Sequence, residues 1–205
     1  MTDGQRHALW LCAAVAPGLI WSAIRPYEYG TWALEVAPIF IGFPIIIAAA
    51  RRFPLTVPLL ILIALHAYVL MVGGHYTYAR VPLGEWAGQW FGWERNNYDK
   101  LGHFWQGFMP AILAREILLR RSPLPRGKWL NFIVVSICLA FSACFEMIEW
   151  IVALLAGGAD NFLGTQGYIW DTQSDMALAV IGAIAALLLL RRTHDRALAK
   201  LPNSP

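Results

Sequence analysis

Apolar stretches close to 20 residues long recur along almost the whole chain, and they leave few folds open to it. A helix of about 20 apolar residues is long enough to cross the hydrocarbon core of a bilayer. The composition agrees, because 58% of the 205 residues are hydrophobic and only 14% are charged, against roughly 45–50% and 25% in soluble domains. The sequence therefore predicts an all-α, polytopic membrane protein.

We predict a helical bundle with about six transmembrane helices, folded as a single integral membrane domain over residues 1–205. Roughly 20 residues per span plus short connections leave no length for a second, soluble domain. The predicted spans lie near residues 8–24, 32–50, 55–72, 99–119, 129–155 and 169–190.

A short aromatic segment separates the third and fourth predicted spans. Leu83, Trp86, Trp90 and Trp93 recur every three or four residues, in a stretch too short to cross a bilayer. This spacing predicts a short interfacial helix over residues 81–93, lying along the membrane surface. The alternative is a covering loop whose tryptophans belong to the aromatic belt at the lipid headgroups.

Basic residues set the predicted orientation. Loops on the cytoplasmic side of membrane proteins carry an excess of Lys and Arg. The basic clusters follow the even-numbered spans, so both termini are predicted to be cytoplasmic. The net charge of +3 then reflects topology and contact with membrane lipids, and no signal for nucleic-acid binding is present. These clusters comprise Arg51, Arg52, Arg120, Arg121, Arg126, Lys128, Arg191 and Arg192.

Eight ionisable residues lie inside the apolar stretches or at their edges. A charge in hydrocarbon costs about 2.5 kcal/mol or more, so such residues are rare without a partner or a function. Because successive spans run in opposite directions, all eight are expected in one layer roughly 10–15 Å thick, facing the extracytoplasmic side. They are His66, His75, Asp99, His103, Glu146, Glu149, Asp171 and Asp175.

Six of these residues form pairs at helical spacing. Members three or four positions apart share a helix face, so three helices would each offer two groups to one pocket. Bundle proteins build carboxylate-and-histidine metal sites in this way. The pairs are Asp99 with His103, Glu146 with Glu149, and Asp171 with Asp175.

Carboxylate and imidazole groups together suit a divalent metal such as Zn, Mn or Fe. We expect Glu146 and Glu149 to be the catalytic residues, one of them as general base. The protein could then be a metal-dependent hydrolase or transferase acting on a lipid-linked substrate. The expected metal ligands are His103, Asp175, Asp171, Asp99 and His66.

Three other interpretations fit the same residues. The acids could belong to an ion-pair network that only fastens the helices together, with Lys100, Arg80, Arg95 and Arg115 as its basic members. They could carry protons or cations through a coupled transporter. They could also form a non-catalytic module that binds a lipid or a partner protein. The sequence alone does not choose among them.

Arg115 and Glu116 stand apart from this layer, near the other end of the fourth span. Arg120 and Arg121 follow them closely. We expect Arg115 and Glu116 to form a local ion pair and an anchor that reaches the membrane surface.

Four ordered motifs resemble the YjdF-type bacterial inner-membrane proteins, and the resemblance covers most of the chain from about the second span onward. The first motif is also distantly similar to VanZ-like membrane proteins, together with the later glutamates and the closing aspartate. The motifs read DKLGHFWQGF at 99–108, FEMIEW at 145–150, FLGTQG at 162–167 and WDTQSDM at 170–176.

The resemblance implies an all-helical protein of the bacterial inner membrane, in which the polar layer would face the periplasm, but no established reaction. It also implies that the residues matching the motifs form one constellation, whereas His66 and His75 lie outside the motifs. Those matching residues are Asp99, His103, Glu146, Glu149, Asp171 and Asp175.

Overall fold

The computed structural model describes residues 1–156 and 166–201, which form seven α-helices and one 3-10 turn and contain no β-strand. The predicted all-α class is therefore confirmed for this part of the chain. Of the motif at 162–167, only Gln166 and Gly167 lie within the described residues. The helices are α1 Asp3–Ala23, α2 Tyr29–Ala49, α3 Val57–Tyr76, α4 Pro82–Phe91, α5 Tyr98–Arg121, α6 Lys128–Ala156 and α7 Asp171–Leu198, and the turn is Tyr78–Arg80.

Several helices suit a membrane by length and composition. Their apolar side chains point outward, since Ile41 is 64% exposed, Phe132 62% and Leu188 77%. A soluble monomer rarely exposes so much apolar surface, whereas lipid tails cover it at no cost. Four helices are long and apolar enough to cross a bilayer: Tyr29–Ala49, Val57–Tyr76, Lys128–Leu155 and Asp171–Leu198.

The segment before α5 forms the short helix that the tryptophan spacing predicts. Helix α4 begins with Pro82, whose missing N–H is harmless in a first turn. It ends where Gly92 takes a left-handed conformation with φ of 70°. Trp86 and Trp90 are exposed, at 55% and 79%. The helix therefore presents an aromatic surface away from the bundle.

Contacts between helix termini define two ends of the bundle. At the end we call acidic, α5 and α7 both begin, and Arg95 just before α5 bonds Asp171 at 2.9 Å. At the opposite end, which we call basic, the Thr56 hydroxyl before α3 donates to Glu116 near the end of α5, at 2.7 Å. Helices α5 and α7 therefore run parallel to each other, and α3 runs antiparallel to both, as the predicted alternation of spans requires.

Helix α7 is longer than predicted. It continues eight residues past position 190 and ends at Leu198. The extension is polar, but it is held against α5. The Arg115 guanidinium donates to His194 Nδ1 at 2.8 Å, and His194 Nε2 donates to Glu116 at 3.0 Å. Arg115 and Glu116 are therefore buried and joined through His194, instead of pairing with each other at the surface as predicted.

Two glycines bring α5 and α7 into backbone contact. A Cβ atom on Gly107 would lie 1.8 Å from the carbonyl oxygen of Ala179, and one on Gly182 would lie 2.1 Å from that of Phe104. Small residues allow such close approach of helices in membranes. This contact fixes the register of the two helices, and that register sets their acidic first turns side by side.

Candidate functional site

The structure places six of the predicted site residues together at the acidic end of the bundle. Helix α5 supplies two of them in its first two turns, α7 supplies two in its first two turns, and α6 supplies two from its second half. All are buried, with no more than 8% of the residue exposed. They are Asp99 and His103 from α5, Glu146 and Glu149 from α6, and Asp171 and Asp175 from α7.

Three residues, one from each helix, are arranged as metal ligands are. One ligand atom from each of His103, Glu146 and Asp175 lies within 4.8 Å of the other two. His103 Nε2 is 3.8 Å from Asp175 Oδ2, and His103 Nδ1 is 3.7 Å from Glu146 Oε1. Both separations exceed a hydrogen bond. Two ligands of one tetrahedral zinc lie about 3.4 Å apart, so the spacing of Nε2 and Oδ2 is close to that of a shared ion.

The tautomer of His103 is set by Gln106, one turn further along α5. The Gln106 side-chain oxygen lies 3.0 Å from His103 Nδ1. An amide oxygen only accepts, so Nδ1 carries the proton and the lone pair of Nε2 faces Asp175. Metal-binding histidines are commonly held in one tautomer by such a partner on the other ring nitrogen.

The surroundings of Glu146 are the clearest indication that a cation or a proton is missing from the cluster. Its Oε1 atom is buried and has no hydrogen-bond partner among the described residues. The side chain is 7% exposed, so water reaches it poorly. A buried carboxylate oxygen without a partner is costly, and a cation or a proton would remove that cost.

The neighbouring aspartates are bridged by two basic side chains. Lys100 Nζ lies 2.7 Å from both Asp171 Oδ1 and Asp175 Oδ1. Arg95 donates to Asp99 at 2.6 Å and to Asp171 at 2.9 Å. Burial acts to lower the pKa of Arg95, but these carboxylates outweigh it and raise the pKa above its ordinary value. This part of the layer is thus an ion-pair network.

The network does not neutralise all the acids. Asp99, Asp171 and Asp175 also offer one oxygen each within 4.8 Å of one another, but Lys100 and Arg95 already bind an oxygen of each aspartate. Two bases are shared among three aspartates, and neither of them forms an ion pair with Glu146 in the described part of the chain. The negative charge that these two bases leave uncompensated is therefore on the side of the cluster where Glu146 lies.

A further acid, Glu35 of α2, lies near Glu149 and is absent from the sequence prediction. Glu35 is 3% exposed and interacts electrostatically with Tyr78 and Glu149. It is an acid inside an apolar stretch, which is the signal that identified the other residues. The same criterion, applied to the second predicted span, would have found it.

The two remaining histidines lie elsewhere. The His66 ring stacks on Trp105, with 6.4 Å between ring centroids. Trp105 is two residues beyond His103, so it lies roughly 200° around α5 from the cluster. His75 stacks on Trp21 and its Nδ1 contacts the carbonyl oxygen of Ser22 at 3.1 Å. Neither belongs to a group of ligand atoms among the described residues, so His66 does not complete the expected ligand set.

A cavity of about 490 Å³ adjoins the ion-pair network. Lys100, Arg95 and Ser174 belong to both, because Lys100 Nζ lies 2.8 Å from Ser174 Oγ. The ring of Tyr168 covers the two bases, at 5.3 Å from the Arg95 guanidinium carbon and 5.6 Å from Lys100 Nζ. Two basic side chains and one acidic side chain therefore line the cavity. The lining consists of Gly92, Trp93, Glu94, Arg95, Asn97, Lys100, Tyr168 and Ser174.

Comparison with known proteins identifies the family to which this chain belongs. Residues 7–196 match the family described as "Predicted membrane protein (DUF2238)". The chain is 51% identical over 181 residues to the "Inner membrane protein YjdF" of Escherichia coli (strain K12), covering 88% of this chain and 87% of that protein. No solved structure shows significant similarity. The similarity to VanZ-like proteins stays a prediction. The predicted kinship with YjdF is confirmed, and the chain belongs to the DUF2238 family of membrane proteins.

Proposed function

We propose that this protein is a six-span inner-membrane protein with its acidic end facing the periplasm. The basic clusters of the sequence lie at the opposite end, where the positive-inside rule would put the cytoplasm and both termini. The inner-membrane name of the E. coli relative supports the compartment. Helices α1 and α5 would be the two additional spans. They are 21 and 24 residues long, sufficient to cross a bilayer.

The acidic end would hold a divalent cation between His103, Glu146 and Asp175. The unpartnered Oε1 of Glu146 carries this proposal, since it faces the ring of His103 from a buried position. Zn, Mn and Fe all accept this donor set of one imidazole and two carboxylates. Asp171 and Asp99 were also expected as ligands. Because Lys100 and Arg95 bind them, these two aspartates would orient the cluster instead of binding the metal directly.

The chemistry that this site supports best is hydrolysis or group transfer on a lipid-linked ester. The metal would polarise the ester or phosphoryl oxygen and activate a water molecule. Glu149 would accept the proton of the attacking water and return it to the oxygen of the leaving group as the ester bond breaks. Glu146, first expected as a possible base, is better placed as a ligand. The cavity beside Lys100 and Arg95 would receive an anionic headgroup from the outer leaflet.

The packing of α5 and α7 favours this proposal over a proton- or cation-coupled transporter. A pathway through the membrane needs polar groups at successive depths. Below the site, Gly107 and Gly182 bring the two helix backbones into contact, with Ala179 and Ala183 fully buried beside them. The polar groups of α5 and α7 are thus concentrated near the two ends, with an apolar seal between them.

Metal content tests the cation site. We expect purified wild-type protein, loaded with Zn²⁺ or Mn²⁺ and dialysed, to retain about one ion per chain, as measured by elemental mass spectrometry. Glu146→Gln removes one ligand charge and should lower the affinity at least about tenfold. Glu85→Gln is the matched control, because Glu85 is exposed on α4 and outside the cluster. Equal retention by both variants, or no retention by a folded wild type, would contradict the proposal.

Turnover tests the catalytic step separately. Glu149→Gln should keep the bound ion but lose about 10²-fold or more in the rate of release of a lipid-linked phosphoester product in proteoliposomes. The assay follows released headgroup over time, with Glu85→Gln again as control. A lipid that copurifies with metal-loaded protein and is never turned over would instead identify a non-catalytic lipid-binding module.

A further inference from the structure

A second cavity, of about 380 Å³, lies at the basic end of the bundle. Four basic side chains line it against a single acid, so it carries a strong excess of positive charge. Arg115, its deepest basic residue, lies 12 positions along α5 from His103, or roughly 18 Å from the proposed metal site. The cavity is therefore distinct from that site. Its polar lining consists of Arg115, Arg126, Lys128, Asn131, Arg191 and Asp195.

Arg115 is held rigidly at the inner wall of this cavity. It is 1% exposed and donates to His194 Nδ1 and to Asp195 Oδ1, both at 2.8 Å. His194 is itself fixed by Glu116, so the guanidinium has little freedom. Its Nε atom is buried and has no hydrogen-bond partner in the described part of the chain. A buried guanidinium donor without an acceptor points to a missing anion.

The other basic groups are also poorly satisfied by the protein. Arg126 shares the one acid, Asp195, with Arg115, at 3.1 Å. Neither Lys128 nor Arg191 takes part in an ion pair with any described residue. Their charges are therefore available to a ligand.

The first turn of α6 adds backbone donors to the same cavity. The carbonyl of Gly127 accepts the first helical bond, from Asn131 N at 3.2 Å, so Gly127 occupies the N-cap position. Glycine has no side chain with which to cap the exposed N–H groups that follow. Helix N-termini with free N–H groups bind phosphate, because the donors and the helix dipole act together.

We propose that this cavity binds a phosphate group, carried either by the headgroup of an anionic lipid or by a free phosphate. Phosphate oxygens would accept from the backbone of α6 and from Arg115 Nε, while Lys128 and Arg191 balance the charge. The position at the end of the bundle, next to lipid-facing Trp129, is open to the headgroup layer.

Binding of defined probes to detergent-purified, delipidated full-length protein tests this site. Native mass spectrometry would compare phosphatidylglycerol with phosphatidylcholine, and calorimetry would measure inorganic phosphate. Lys128→Gln/Arg191→Gln should weaken binding of the preferred probe about 25-fold, at about fivefold for each lost charge. Arg51→Gln/Arg52→Gln is the matched control. It removes the same charge from exposed residues of the same end, outside the cavity, and should change binding less than about twofold.

The two probes distinguish the source of the phosphate. Preference for phosphatidylglycerol without binding of inorganic phosphate assigns the site to a lipid headgroup, and binding of inorganic phosphate assigns it to a free anion. Equal losses in the two double variants would overturn the proposal, since they indicate general surface attraction. Absence of binding to either probe by the wild type would overturn it as well. If the double variant does not fold, Arg191→Gln alone, against Arg51→Gln, gives the same comparison.

Discussion

Replacement of Gly107 by alanine is expected to lower the free energy of unfolding by about 3 kcal/mol or more. The added Cβ would lie 1.8 Å from the carbonyl oxygen of Ala179, 2.6 Å from its carbonyl carbon and 2.8 Å from its Cα. These are backbone atoms, so no side-chain rotation relieves the overlap and α5 must separate from α7. Separation would also pull apart the first turns that carry the acidic site. Chemical or thermal unfolding in detergent, followed by circular dichroism, measures the loss.

Gly42 of α2 provides the matched control. A Cβ at this position would meet no atom within 4 Å. Gly42→Ala is therefore expected to be neutral or to stabilise the protein by up to about 1 kcal/mol, through helix propensity alone. If Gly107→Ala proved as harmless as Gly42→Ala, the close contact between α5 and α7 would be disproved.

Replacement of Lys100 by methionine should have the second large effect, a loss of about 3 kcal/mol in the free energy of unfolding. Lys100 Nζ lies 2.7 Å from both Asp171 and Asp175, and its side chain is 17% exposed. Removing one partner of a buried ion pair leaves the other charge without compensation, which typically costs 3–5 kcal/mol. Because Lys100 is partly exposed, we expect the loss of unfolding free energy to lie at the lower limit of this range. The same unfolding assay applies.

A double-variant cycle separates this pairing from a general loss of packing. Lys100→Met/Asp171→Asn removes both charges, so its loss should be smaller than the sum of the two single losses by at least about 1 kcal/mol. Lys200→Met, at an exposed position near the end of the chain, should change stability by less than about 0.5 kcal/mol. Additive losses in the cycle would show that Lys100 and Asp171 do not interact.

The convergence of the polar layer could be predicted from the sequence. Spacings of three and four residues put Asp99 with His103, and Asp171 with Asp175, on single helix faces. Alternating helix direction then put those faces at one end. Both steps depend on short-range geometry and chain order, which a sequence expresses directly. The same reasoning located the tryptophan helix before α5.

The division of that layer into an ion-pair network and a ligand-like cluster could not be predicted. It depends on the rotation of α5 about its axis, which points Lys100 at Asp171 and Asp175. That rotation follows from the contacts of Gly107 and Gly182 with the facing backbone. Close contacts between distant helices are a tertiary property, and the spacing of charges along each helix leaves them undetermined.

The position of His66 away from the cluster has the same origin. Depth along the helix puts His66 near the polar layer, but its rotation turns the ring toward Trp105. The extension of α7 was missed for a different reason. Residues after position 190 are polar, and an apolar-span criterion ends there, whereas the buried bond from Arg115 to His194 keeps the helix in contact with α5.

Anomalous X-ray diffraction at the Zn or Mn edge, from crystals of metal-loaded full-length protein, tests the central proposal most directly. We predict one strong peak between His103, Glu146 and Asp175, within about 2.3 Å of a ligand atom of each. A well-ordered acidic end without such a peak, or with Glu146 Oε1 bonded only to protein or water, would contradict the proposed metal site.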